Sequence, residues 1–144
     1  MKKLIIAAAF VLTVLTGAIA APASFKGEVH FKANYPKATN ISYKMVGTLT
    51  EVNFTLNGQD LQAFYNEDGS LVATSKRIKL ADLPLRAQAE IQSKYKDFDV
   101  REIIEMDQEE EGVSFYASLE NDTKKLILNV TTQGNVNVFK RTKK

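Results

Sequence analysis

The chain has 144 residues, with 19 Lys and Arg against 17 Asp and Glu, one His, no Cys and a formal net charge of +2. A chain of this length makes one ordinary domain that can bury a core. The lack of cysteine excludes a disulfide framework, a thiol nucleophile, a zinc ribbon and a lipid-attachment cysteine. Lys2 and Lys3 are the only charges in the first twenty residues, so without that segment the two signs balance at 17 each.

The amino terminus carries an export pattern. Met1-Lys2-Lys3 is a positively charged start, Leu4 to Leu15 is apolar apart from Thr13, and Ala18-Ile19-Ala20 is a small-x-small site before Ala21; together these are the parts of a secretory signal peptide. About a dozen apolar residues fall short of the roughly 20 needed to span a bilayer. The expectation is a signal peptide over 1–20, cleavage near Ala20, and a single domain over 21–144 that is periplasmic or secreted and has no membrane attachment once the signal is gone.

Beyond the signal the hydrophobic period changes. Phe25 with Val29 and Phe31 with Tyr35 are i,i+4 pairs, Ser24 can cap, and Pro36 follows, which predicts a short helix over 24–34. From Asn40 the period becomes two, in Ile41 to Met45, Val52 to Leu56, Leu61 to Tyr65 and Leu71 to Ala73. Such alternation predicts strands with one buried face. Asn57-Gly58 is a two-residue hairpin signal, and Asn66 to Gly69 is a second turn. The helical period returns after Leu80, where Asp82 can cap a helix with Pro84 in its first turn and Leu83, Ala87, Ile91 and Tyr95 on one stripe. Four more alternating runs follow, Val100 to Met106, Val113 to Leu119, Leu126 to Val130 and Val136 to Val138.

The order is a helix and four strands, twice over. Val52-x-Phe54-x-Leu56 lies over Phe115-x-Ala117-x-Leu119, and Gly69-x-Leu71-x-Ala73 over Gly134-x-Val136-x-Val138. Two copies at this period make a duplicated half-domain, with repeats of about 24–78 and 80–141, rather than a solenoid. Short turns predict antiparallel neighbours, and one helix per half predicts an α+β fold with both helices on one sheet face and the other face open to water.

Tyr35-Pro36-x-Ala38-Thr39, Val52-x-Phe54-x-Leu56-Asn57-Gly58, Ala63 to Gly69 and Leu83-Pro84 resemble the PepSY-like family of exported bacterial proteins, whose description is β-lactamase-inhibitor-like. The resemblance runs from about Phe25 to Lys140. It implies two α-β-β-β-β repeats in a curved antiparallel sheet with the helices against one face, and a partner such as an exported protein or peptidase. This chain departs from the lactamase inhibitor in having neither Cys nor Trp, which weakens β-lactamase as the target.

Enzyme chemistry finds no seat in the pattern. The one histidine, His30, sits in the first helix between Val29 and Phe31 and reads as a helix-edge or packed residue. No Gly-x-Ser-x-Gly elbow, phosphate-binding glycine loop or His-Glu-x-x-His helix is present. Asp107 and Glu109 to Glu111 are nearly consecutive and read as a solvated hairpin tip, without the spaced oxygen ligands of a calcium loop. No catalytic residue, metal ligand or cofactor is therefore assigned. The balanced charge argues against nucleic acid, and Lys140, Arg141, Lys143 and Lys144 read as a solubilising tail.

What is left is the sheet face away from the helices. With Val52, Phe54, Leu56, Ala63, Tyr65, Phe115, Ala117, Leu119, Leu128, Val130 and Val138 toward the helices, alternation turns Phe64, Tyr116, Ile127 and Phe139 outward. These four are the candidate binding residues, as an aromatic patch for a protein partner or as a stiffening cross-strand cluster. The expected function is a non-enzymatic exported binding protein. The alternative is a carrier of a small ligand or ion on the open face.

Overall fold

The computed structural model describes residues 25–144, so the signal-peptide reading, its cleavage site and the Ser24 cap lie outside the described residues. The elements are α1 (Glu28–Asn34), β1 (Thr39–Val46), β2 (Leu49–Leu56), β3 (Gln59–Tyr65), β4 (Leu71–Ile78), a 3-10 turn (Leu80–Asp82), α2 (Leu85–Lys94), β5 (Asp99–Gln108), β6 (Gly112–Glu120), β7 (Lys124–Val130) and β8 (Val136–Lys143). The fold is α+β. The strands are hydrogen-bonded in chain order from β1 to β8, and β1 with β2, β2 with β3, β6 with β7 and β7 with β8 are antiparallel. The chain divides into two compact units, one running to Ser75 and taking in Gln108–Glu110, the other Lys76–Asp107 with Glu111–Lys144.

In the first unit α1 packs on β2 and β3 through Phe31, which lies with Val52, Phe54, Ala63 and Tyr65 in a buried cluster flanked by Phe25, Tyr35 and Leu61. Phe31 meets Phe54 edge-on, with ring centroids 5.0 Å apart, a favoured aromatic geometry. The helix is shorter than the sequence predicts, beginning at Glu28 after Gly27. Phe25 therefore lies outside it, and Val29, two residues from Phe31 and so on the opposite side of the helix, is 80% exposed rather than part of an apolar stripe. Gly27 has a packing reason: a Cβ there would come within 2.5 Å of both Phe25 and Tyr65 side chains.

In the second unit Leu83, Ala87 and Ile91 form the predicted stripe against Phe115, Ala117, Leu119, Leu126, Leu128 and Val130, with Tyr95 and Phe98 beside them. The cap differs from expectation. The Asp82 carboxylate accepts the Lys79 N–H at 2.8 Å and closes the 3-10 turn, while α2 starts after Pro84, which occupies the cap position itself. Gln88 then reaches back, its side-chain amide donating to the Leu83 carbonyl at 2.7 Å and the Ala81 carbonyl at 3.1 Å. These bonds use carbonyls left free where the backbone bends between the two helices.

Candidate functional site

The four sequence-predicted binding residues fall into two pairs. Phe64 and Ile127 are 1% and 3% exposed, which corrects the expectation that they face water. They lie outside both helix-bearing clusters. Leu49 and Ala73 in the first unit and Ile104 and Met106 in the second are likewise buried outside those clusters. Alternation gives the side of the sheet from which a side chain leaves its strand; it carries no information about how open that side is.

Tyr116 and Phe139 are half-buried and stack edge-on, with ring centroids 5.5 Å apart and planes at 78°. Tyr116 pairs with Asn129 and Asn129 with Asn137, two residues before Phe139, so both rings leave their strands on the same side, as alternation predicts. Ile127 pairs with Lys140 but Leu128 pairs with Val138, so Phe139 has no counterpart on β7. That is a β-bulge, one extra residue on β8 opposite β7. Val138 is 44% exposed although its partner Leu128 is fully buried, because β8 is the last strand in the order and, among the described residues, no strand pairs beyond it. The other ten residues assigned to the helix side belong to the two helix clusters or pack on them.

Beside Phe64 runs a polar ladder that sequence reading missed. Glu51 is paired with Phe64 and Asn53 with Gln62. The Gln62 amide donates to Asn53 Oδ1 at 2.9 Å and Glu51 Oε1 at 3.2 Å, and the Ser75 hydroxyl donates to Gln62 Oε1 at 2.8 Å. Glu51 and Ser75 are both 3% exposed. The sequence signal was the alternation of Glu51, Asn53 and Thr55 in β2 and of Asp60 and Gln62 in β3 with apolar residues, which an exposed face would show equally well.

His30 is exposed on α1, and its Nδ1 is hydrogen-bonded to the Tyr65 hydroxyl at 3.2 Å. It thus holds a core tyrosine from the edge of the helix. The acidic segment Glu109 to Glu111 is the exposed turn between β5 and β6. In the Asn66 to Ser70 turn, Asp68 Oδ1 accepts from the Ser70 N–H at 2.8 Å and hydroxyl at 2.6 Å, and these bonds hold its carboxyl below the usual carboxylate range. Its oxygen is thereby used within the turn. Among the described residues no three His, Asp or Glu side chains gather as metal ligands, and none of the described helices is long and apolar enough to cross a membrane.

Comparison with known proteins places the fold. No family model matches the chain, and no curated protein matches it at a significant level. Solved structures do. A Bacteroides eggerthii protein provisionally described as periplasmic shares 19% identity with a TM-score of 0.72, over 87% of this chain and 90% of that one. A BLIP-like protein from Bacteroides fragilis shares 19% with a TM-score of 0.70, over 86% and 88%. A DUF2874 family protein from Bacteroides ovatus shares 21% with a TM-score of 0.72, over 87% and 89%. The chain therefore has the fold of these proteins, a BLIP-like fold.

Proposed function

We propose that this chain is an exported, non-enzymatic binding protein of the PepSY-like, BLIP-like type, which recognises another exported protein and inhibits or modulates it. The observation that carries the reading is the Tyr116–Phe139 pair, two half-buried aromatic rings set edge-on at the bulge of a terminal strand. Aromatic groups held this way offer large contact area at small entropic cost, the usual composition of an interface anchor. The fold likeness supports the type, the export pattern at the amino terminus supports the compartment, and one neighbour's provisional description as periplasmic agrees with it. The two runs of one helix and four strands, α1 to β4 and α2 to β8, are on this reading copies of one duplicated half.

Phe64 and Ile127 act in this proposal as interior support, and Tyr116 and Phe139 as contact residues. Replacing both Tyr116 and Phe139 with Ser is expected to abolish capture of a partner from periplasmic extract, read by mass spectrometry of the bound fraction, with the melting temperature lowered by only a few degrees. Capture that survives the double substitution would overturn the reading.

A further inference from the structure

The carboxy-terminal cations are not a tail. Lys140, Arg141 and Lys143 lie within β8, in register with Ile127, Leu126 and Lys124 of β7, and the Lys144 N–H donates to the Thr123 carbonyl at 3.0 Å. Lys124 and Lys143 stand directly opposite each other, so two like charges share one face at about 5 Å, an arrangement that destabilises a sheet. Arg141, two residues along, lies on that same face, and Lys140 on the other. Lys125 and Lys144 share Glu120 with Arg101. Lys124, Lys140, Arg141 and Lys143 are exposed and make no ion pair among the described residues. Lysines on a terminal strand commonly guard its open backbone edge. That role does not account for Lys124, which is one strand further in.

We propose that this basic end of β8 is a docking edge for an extended acidic segment of a partner protein. β8 closes the strand order, so among the described residues its outer backbone groups have no strand partner and can take a further strand. A strand added there sends alternate side chains to the two faces, at the spacing of Arg141 and Lys143 on one and Lys140 on the other. Carboxylates on such a strand would relieve the repulsion between Lys124 and Lys143. The cations are already fixed by the strand pairing, which lowers the ordering cost of binding. This surface differs in chemistry from the aromatic pair and does not rest on the function proposed above.

The test uses the protein expressed from the 144-residue sequence and a fluorescent peptide of alternating Glu and Thr, followed by anisotropy at low salt. Two comparison peptides carry Gln in place of Glu, or Pro in place of Thr, the latter keeping the charge but removing every second backbone donor. The Glu-Thr peptide is expected to bind about tenfold tighter than either. The double variant Arg141→Gln with Lys143→Gln should lose about tenfold, and Lys124→Gln, which leaves β8 intact, should lose severalfold while its melting temperature holds or rises. Equal binding of the Glu-Pro peptide would overturn the proposal in favour of unspecific charge attraction. Binding to phosphatidylglycerol vesicles without binding to the Glu-Thr peptide would overturn it in favour of a lipid surface, and affinity unchanged in both variants would overturn it outright.

Discussion

Tyr65 shows how much one side chain can couple in this fold. Its ring is fully buried between Phe25 and the α1 cluster, and its hydroxyl meets His30. Burial pushes its pKa well above the usual phenol range, and Tyr35 adds to the shift. The folded state thus favours the neutral phenol, so this contribution to stability is complete below the unfolded pKa of about 10 and is lost as pH rises toward the folded value. Tyr65→Phe is expected to cost about 0.5–1.5 kcal/mol at neutral pH through the lost hydrogen bond, and to flatten the fall in melting temperature above about pH 10. Thermal melts across that range check both effects, and an alkaline limb unchanged by the substitution would contradict the assignment. The sequence marks His30 as a helix-edge or packed residue from its apolar neighbours. It could not name Tyr65 as the partner, because 35 residues separate them and only the packing of α1 on β3 joins them.

Among the elements, the hairpins were legible wherever the turn chemistry is specific. Asn57 and Gly58 adopt φ of 53° and 78°, the double left-handed conformation of a type I′ turn, as the Asn-Gly pair predicts. Gly58→Ala places a Cβ in that conformation and is expected to cost about 1–2 kcal/mol, seen as a lower urea midpoint with an unchanged slope. The turn at Gly47 and Thr48, between Val46 and Leu49, went unread because Gly-Thr is a weaker signature. The helix starts were misplaced for a related reason. Asp82 can accept a backbone N–H from either a 3-10 turn or an α-helix, and Pro84, which fixes its own φ, decided for the former. The bulge at Phe139 had no signal at all, since one unpaired residue in a strand leaves the local sequence unaltered.

At the scale of the molecule, each unit has a core that its own helix closes. Leu128 is fully buried in the second of these, among Ile91, Ala117 and Leu119. Leu128→Ala removes buried apolar volume and leaves a cavity, so a loss of about 2–5 kcal/mol is expected in denaturant unfolding. A loss below about 1 kcal/mol would mean that this cluster is looser than its burial indicates. The distribution of charge also belongs to this scale. The described residues are neutral in sum, yet six cations collect along β7 and β8 and the residue that follows, a concentration that only the strand pairing creates.

Taken by itself, the sequence determined what local chemistry controls: the period of each element, the specific turns, the apolar set that faces the helices, and the balance of charge once the amino-terminal segment is set aside. Tertiary structure decided whatever depends on partners far away in the chain. It buried Phe64 and Ile127, left Phe139 without a counterpart on β7 at a slip in register, and turned an apparent tail into an ordered basic edge. The physical reason is the same in each case. A residue's own type and spacing set its conformation and the side on which it leaves its strand, whereas its exposure and company are set by what packs beside it.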